Sequence, residues 1–227
     1  MNMPRHYGGD FIRPVGRLSP ELAEQDPEGY KHLLLETVRA ETKFGGAVWD
    51  ALARHSEVRM SETKIKLQPQ TWVSETRGKH IYLGVQPMTA KERHQLIFEG
   101  DLLSGEQEIV HRFVHEMDHL VMPVAGDKAQ KIYSVLRQLR SGTGRGLSNV
   151  GSLRFYTTPD SQALEDVIEL GAMYVKDPEY LDRYLAFLSN TSAQSERDKR
   201  KLASVKPAVA HLIGNTIKDI IESFISE

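Results

Sequence analysis

The sequence predicts an α+β fold that is mostly α-helical, with a small mixed sheet and a C-terminal helical lobe. Two observations predict it. Helix-capping residues stand directly before proline, as in Ser19-Pro20 and Asp26-Pro27, which is typical of helix N-termini. Between Glu57 and Val85, short apolar runs alternate with polar residues, as in half-buried strands. Predicted helices therefore stand on both sides of one short predicted sheet along the chain.

Two of the helices before the sheet begin at the capped positions Ser19 and Asp26. The second is predicted to run to about Lys43, because its apolar residues recur at helical spacing. These residues are Tyr30, Leu33, Leu34 and Val38. Gly45-Gly46 is expected to end it, and a short helix follows. That helix carries Val48, Trp49 and Leu52.

The alternating segment predicts two or three strands with a turn near Thr76-Arg77-Gly78. Its apolar residues are Val58, Met60, Ile65, Leu67, Trp72, Val73, Ile81, Leu83 and Val85. Pro87 is expected to end the last strand, because proline lacks the N–H that a sheet requires.

The rest of the chain is predicted to be helical. The predicted helices cover 107–122, 127–140, 159–176, 178–188, a charged segment at 194–203 and an amphipathic one from Pro207. The last is expected to present one apolar face with Leu212, Ile213, Ile217, Ile220, Ile221 and Phe224. The glycines of 141–146 lack the Lys-Ser/Thr of a phosphate-binding loop and follow a helix, so a flexible loop is predicted there.

Length and composition fit one soluble domain. The 227 residues are predicted to form an extended arm (1–18) and a single domain (19–227), with an N-terminal lobe at 19–123 and a helical lobe at 124–227. A net charge of −2 gives no attraction to nucleic acid or anionic membrane. No apolar run approaches the roughly 18 residues of a membrane span.

The chain has no cysteine, which excludes disulfides and thiolate metal sites, so His, Asp or Glu must hold any metal. The N-terminus lacks the apolar core of a Sec signal peptide. A cytoplasmic location is therefore expected, and export by another route stays open. The sequence does not indicate an oligomeric state.

The segment His115-Glu116-Met117-Asp118-His119 is an HExxH motif. Two histidines four residues apart lie one turn apart on the same side of a helix, where both can bind one Zn²⁺ at about 2.0–2.1 Å. Glu116 is rotated about 100° from His115, so it can reach a metal-bound water as general base without binding the metal. The alternative is a helix that merely carries two surface histidines.

The helix around the motif has a packing face and an open face. Its apolar residues fall on one arc: Ile109, Val110, Phe113, Val114, Met117, Leu120 and Val121. His111, His115 and His119 fall outside that arc, and Glu116 lies at its boundary. We expect His111 to cap or pack near the site more readily than to bind metal.

A catalytic zinc ion needs a third protein ligand. The richest candidate is the downstream helix with Glu165, Asp166 and Glu169. Glu165 and Glu169 share a face one turn apart, so one can bind the metal while the other accepts a hydrogen bond from a ligand histidine. The alternative is that both are solvated surface carboxylates.

His115–His119 followed by Glu165-Asp166-Val167-Ile168-Glu169 resembles the gluzincin arrangement of thermolysin-like zinc peptidases. The spacing of the two segments is closer to that of the anthrax lethal factor catalytic domain and its relatives. The resemblance implies a zincin-like fold with Glu165 as third ligand and Glu169 as support for a histidine. It also implies a tyrosine that assists the transition state, for which Tyr156 is the nearest match, two residues further from Glu165 than expected. A second departure is Asp118, a charged residue inside the motif.

The resemblance further implies an edge strand that pairs with extended peptide. Lys79–Val85 is the matching segment, with Ile81, Tyr82, Leu83 and Gly84 as substrate-binding residues. The sequence thus indicates a zinc-dependent endopeptidase acting on a peptide or protein substrate. One alternative is an inactive zincin-like protein that binds a partner. Another is a helical interaction protein without zinc, suggested by the amphipathic helices after residue 177.

Overall fold

The computed structural model describes residues 18–88, 105–148, 158–190, 192, 194, 199 and 202–227. The described residues are 69% helical and include a small mixed sheet, which confirms the predicted α+β, mostly α fold class. Within the described residues the helices are α1 Pro20–Gln25, α2 Pro27–Glu41, α3 Gly45–Arg54, α4 Gly105–Val124, α5 Asp127–Thr143, α6 Pro159–Lys176, α7 Pro178–Ser189 and α8 Pro207–Ser226. None of them is long and apolar enough to cross a bilayer.

The predicted helix starts are confirmed by their caps. The side chains of Ser19, Asp26, Thr158 and Asp177 each accept a hydrogen bond from a backbone N–H in the first helical turn. Proline occupies the start of each of these four helices, where its missing N–H costs nothing. Local sequence therefore sets where α1, α2, α6 and α7 begin.

Three strands form the sheet: β1 (Ile65–Gln68), β2 (Glu75–Arg77) and β3 (His80–Gly84). Their order is β1-β3-β2, with β1 parallel and β2 antiparallel to β3. Gly78, at φ +59°, makes the tight turn of the β2–β3 hairpin. The predicted small mixed sheet is confirmed.

Some residues predicted to lie in strands do not. Val58 and Met60 are buried in the connection between α3 and β1, and the N–H of Met60 bonds to the Leu52 carbonyl instead of to a strand. Trp72 and Val73 lie in the loop between β1 and β2. Val58 and Met60 are buried on either side of the exposed Arg59, and this alternation in an irregular connection imitates the period of a strand.

The prediction that Lys79–Val85 forms an edge strand is wrong. β3 is the central strand, with β1 on one side and β2 on the other. Ile81 and Leu83 have no exposed surface, and a Cβ at Gly84 would come within 2.5 Å of the Trp72 backbone. Because their backbone and side chains are enclosed, these three residues do not offer a surface for peptide.

Tyr82 is the exception among the four predicted substrate-binding residues, because it is only half-buried. It lies on the outward face of the sheet, where the Arg77 guanidinium stands 5.3 Å from its ring centroid. This face is opposite to the one that carries the buried Ile81 and Leu83. Tyr82 thus packs with Arg77 on the outer face, and its contact with substrate stays a prediction.

The second half of the chain differs from the prediction at three places. α5 continues through Ser141–Thr143 and ends at Gly144 in the left-handed conformation, so the predicted loop is partly helical. The predicted helix at 194–203 lies mainly outside the described residues, and its end is wrong: Leu202 and Ala203 pair with Gly146 as extended chain. Leu212 is 55% exposed and does not share the buried face of α8.

The packing of α4 positions the motif. The predicted apolar arc of α4 is buried, as the residues Ile109, Val110, Phe113, Val114, Met117, Leu120 and Val121 show. The buried Arg112 donates hydrogen bonds to the carbonyls of Trp72 and Gln86, which flank β2 and β3 in the chain. Arg112 thereby fixes the sheet against α4.

The predicted arm at 1–18 lies outside the described residues except for Leu18, which is buried in the core. The predicted division into lobes at 123/124 stays a prediction. α4 and α6, which belong to different predicted lobes, are in direct contact through His115 and Glu165.

Candidate metal centre

The candidate centre lies between α4 and α6. α4 supplies His115 and His119, and α6 supplies Glu165 and Glu169, each pair one helical turn apart. All but His119 are buried, and the His119 side chain is 20% exposed. The structure thus brings together four residues that the sequence predicted for one site.

Glu165 faces both imidazoles of the motif. Its Oε2 lies 3.2 Å from His115 Nε2, and its Oε1 lies 3.7 Å from His119 Nε2. Tetrahedral ligands at about 2.0–2.1 Å from a zinc ion lie about 3.3–3.4 Å from each other. The 3.2 Å contact is close to that separation and the 3.7 Å contact is longer. Two imidazoles and a carboxylate are side chains that zinc binds, so the chemistry of these residues fits the metal that the motif implies.

Glu169 holds the opposite side of His115. Its Oε2 lies 2.9 Å from His115 Nδ1, and its Oε1 lies 2.9 Å from His111 Nε2. A carboxylate on Nδ1 directs Nε2 toward a metal by fixing the ring tautomer. His111 contacts this carboxylate, as expected of a residue that packs near the site.

The charges of this cluster depend on one another. Burial alone would lower the pKa of His115, but its hydrogen bonds to Glu165 and Glu169 outweigh burial and raise that pKa well above 6.5. A raised pKa favours the doubly protonated ring, whose two N–H groups can donate to the two carboxylates. Zinc requires a neutral imidazole, so binding would replace the proton on Nε2.

The carboxylates shift in the opposite direction. Burial would raise the pKa of Glu165, yet the hydrogen bond from His115 and the nearby ring of His119 lower it to about 2. The pKa of Glu169 is also lowered, because the charge and hydrogen bond of His111 and those of His115 exceed the effect of burial. Both groups are therefore ionised at neutral pH, as metal binding and histidine support require.

Glu116 is 4% exposed and also lies close to the motif histidines. It offers an oxygen that lies, with one nitrogen each of His115 and His119, in a group whose members are all within 4.8 Å. Burial raises the pKa of Glu116. Glu165 faces both Nε2 atoms as well, so two glutamates, Glu116 and Glu165, lie close to the motif histidines. The prediction of Glu165 as third ligand stays a prediction.

Thr76 of β2 contacts Glu116 twice. Its Oγ1 lies 2.8 Å from Glu116 Oε2 and 2.9 Å from the Glu116 carbonyl oxygen. One hydroxyl proton can serve only one of these acceptors at a time. Sequence reasoning missed Thr76, because the two residues are far apart in the chain and belong to different elements.

Asp118, the charged residue inside the motif, is fully buried. Neither of its oxygens has a hydrogen-bond partner among the residues that the structure describes, and burial raises its pKa well above 3.8. It faces Gly171 of α6, where a Cβ would come within 2.7 Å of its Oδ2. The raised pKa favours the neutral form of Asp118, in which it adds no charge next to the motif histidines.

Asp166, beside Glu165, belongs to a buried network that sequence reasoning also missed. Its carboxylate accepts hydrogen bonds from Arg140 at 2.8 and 3.1 Å. It also accepts from the backbone of Leu147 and from the backbone and hydroxyl of Ser148. This network anchors α6 to α5 at the turn that carries Glu165. The available signal was a third carboxylate, Asp166, among the apolar residues Val167, Ile168 and Leu170 of the same helix.

Tyr156, the predicted transition-state donor, lies outside the described residues. Its position relative to Glu165 stays a prediction.

Comparison of the chain with protein-family models, with curated proteins and with solved structures gives no match.

Proposed function

We propose that this protein is a zinc-dependent endopeptidase. The observation that carries the proposal is the position of Glu165, whose two oxygens face the Nε2 atoms of His115 and His119. Glu169 contacts Nδ1 of His115, and ligand histidines in zinc sites generally have such a carboxylate on the nitrogen that does not bind the metal. Two histidines of an HExxH helix, facing a glutamate of a second helix, support a zinc site that hydrolyses peptide bonds.

His115, His119 and Glu165 would hold the Zn²⁺. When bound, zinc supplies Lewis acidity, which polarises a carbonyl group and lowers the pKa of water toward neutrality. Three protein ligands leave room for water or substrate, which distinguishes a catalytic from a structural zinc site.

Glu116 would act as general base. In its ionised form it accepts a proton from the attacking water, and it then donates that proton to the leaving amine. Burial raises its pKa, which helps the carboxyl group hold the proton between the two transfers. Tyr156 stays the predicted donor to the oxyanion, and Tyr156→Phe tests that role.

The strand that would receive substrate is β2 instead of β3. β2 is an outer strand of the sheet, and no strand pairs with its outer side among the described residues. Thr76 of β2 contacts Glu116, so a peptide paired along this strand would lie close to the base. Backbone pairing of this kind binds extended peptides with little dependence on side chains.

A peptide library tests the function. The zinc-loaded wild-type protein should cleave a subset of the library, and a chelator should stop cleavage until zinc is restored. Glu116→Gln should retain zinc and lose turnover, whereas Glu57→Gln, an exposed glutamate that makes no described side-chain contact, should cleave like wild type. Cleavage by Glu116→Gln would refute its role as base. Stoichiometric zinc without cleavage of any peptide would favour the inactive zincin-like alternative.

A further inference from the structure

Thr76 holds the carboxylate of the candidate base from the neighbouring strand. Its hydroxyl lies 2.8 Å from Glu116 Oε2, and within the described part of the chain it is the one hydrogen-bond partner of the Glu116 side chain. The same hydroxyl lies 2.9 Å from the Glu116 carbonyl oxygen. Thr76 therefore contacts both the backbone and the reactive end of one glutamate.

The register of the hairpin places Thr76 there. Thr76 pairs with Ile81 across β2 and β3, and directly opposite residues share a face of the sheet. Ile81 is fully buried, so Thr76 lies on the inner face, which packs against α4. Its neighbours Glu75 and Arg77 point to the outer face, where they form an ion pair. Among these three positions, only Thr76 can meet Glu116.

A general base must be held in one orientation to act efficiently. Glutamate has several rotatable bonds, and fixing its side chain costs conformational entropy. Catalytic groups need their rotamers fixed by neighbouring contacts to within about 0.5 Å. The carboxylates of Glu165 and Glu169 each contact two histidine side chains. The Glu116 carboxylate depends on the hydroxyl of Thr76.

We propose that Thr76 is a positioning residue that fixes the orientation of the Glu116 carboxylate for proton transfer. The inference rests on the proposed peptidase function, in which Glu116 is the base. It assigns β2 two tasks, because the strand that would pair with peptide also holds the base. Peptide binding and base alignment would thus share one element.

Three variants test the role. Thr76→Val removes the hydroxyl at nearly constant volume, and Thr76→Ser restores it. Thr63→Val makes the same change at an exposed threonine outside the site and serves as the control. Each variant is compared with wild type for zinc content, unfolding midpoint, kcat and KM on a peptide that wild type cleaves. If Thr76→Val does not fold, Thr76→Ala takes its place.

We expect Thr76→Val to keep its zinc and its KM within about twofold while kcat falls roughly 10- to 100-fold, the effect of losing a hydrogen bond to a charged group. Thr76→Ser should recover most of the rate. An unchanged kcat in Thr76→Val, loss of zinc in that variant, or a serine variant as slow as the valine variant would each overturn the inference.

A crystal structure of Thr76→Val separates this inference from the proposed function. We expect the Glu116 side chain to adopt a different rotamer or several rotamers in this variant, with or without zinc, while His115 stays in place. A Glu116 carboxylate that keeps its wild-type position would overturn the positioning role. Wild type that cleaves no peptide would refute the peptidase function, and the crystal structure would still decide whether Thr76 orients Glu116.

Discussion

Glu169 Oε2 lies 2.9 Å from Nδ1 of His115, and the other nitrogen of the same ring lies 3.2 Å from Glu165. A single imidazole is thus held at both nitrogens by two carboxylates that are one turn apart on α6. The arrangement gives each carboxylate its own task, because only Glu165 also faces His119.

Glu169→Ala should weaken zinc binding by about 10- to 100-fold, the usual effect of removing a carboxylate that supports a ligand histidine. The three proposed ligands remain in this variant, so the metal site should still fill at high zinc concentration. Competition with a chelating dye measures the affinity. Glu179→Ala, at an exposed site on α7, is the control and should bind like wild type. Equal affinities for both variants would show that Glu169 does not support His115.

His111→Ala should weaken zinc binding less than Glu169→Ala does. His111 contacts only the second oxygen of Glu169, so its loss loosens Glu169 without freeing His115. Competition with the chelating dye measures the zinc affinity of His111→Ala. His119→Ala, measured in the same way, shows how much affinity the loss of a proposed ligand removes. If His111→Ala lost as much affinity as His119→Ala, His111 would be a ligand, which is the alternative that the sequence leaves open.

Asp118→Asn should stabilise the metal-free protein at pH 7 and have little effect at pH 4. Burial raises the pKa of Asp118 in the folded state, so the folded carboxyl group binds its proton more tightly than the unfolded one. Its contribution to stability is therefore fully present below about pH 3.8 and is lost as the pH rises through the folded pKa. Asparagine carries no charge and avoids this loss. Denaturant unfolding at both pH values measures the difference, and an equal effect at both would mean that Asp118 does not titrate in this way.

Much of the helical framework could be predicted, because its signals are local. Ser19, Asp26, Thr158 and Asp177 each cap a helix within a few residues of themselves. The i, i+4 spacing was enough to predict that His115 and His119 share one face of their helix, and Glu165 and Glu169 one face of theirs. This worked because a helix turns its residues onto a face regardless of the rest of the fold.

The order of strands could not be predicted, because it depends on pairing between distant segments. β3 lies between β1 and β2 and runs parallel to β1, which places Lys79–Val85 in the centre of the sheet. The contact between Thr76 and Glu116 follows from that topology and has no local signal. The space for the buried Asp118 side chain depends on Gly171 of another helix, where a Cβ would lie 2.7 Å from Asp118 Oδ2. The motif alone does not indicate this contact.

The most direct test of the central claim is the zinc content of the purified protein, measured by elemental analysis for wild type and for Glu165→Ala. We predict about one zinc per wild-type chain, and loss or clear weakening of zinc binding in the variant, because Glu165 is the proposed third ligand. No zinc in wild type even after zinc is added back would contradict the account. His115, His119 and Glu165 would then form a buried cluster of ion pairs on two packed helices, and the peptidase proposal would have to be abandoned.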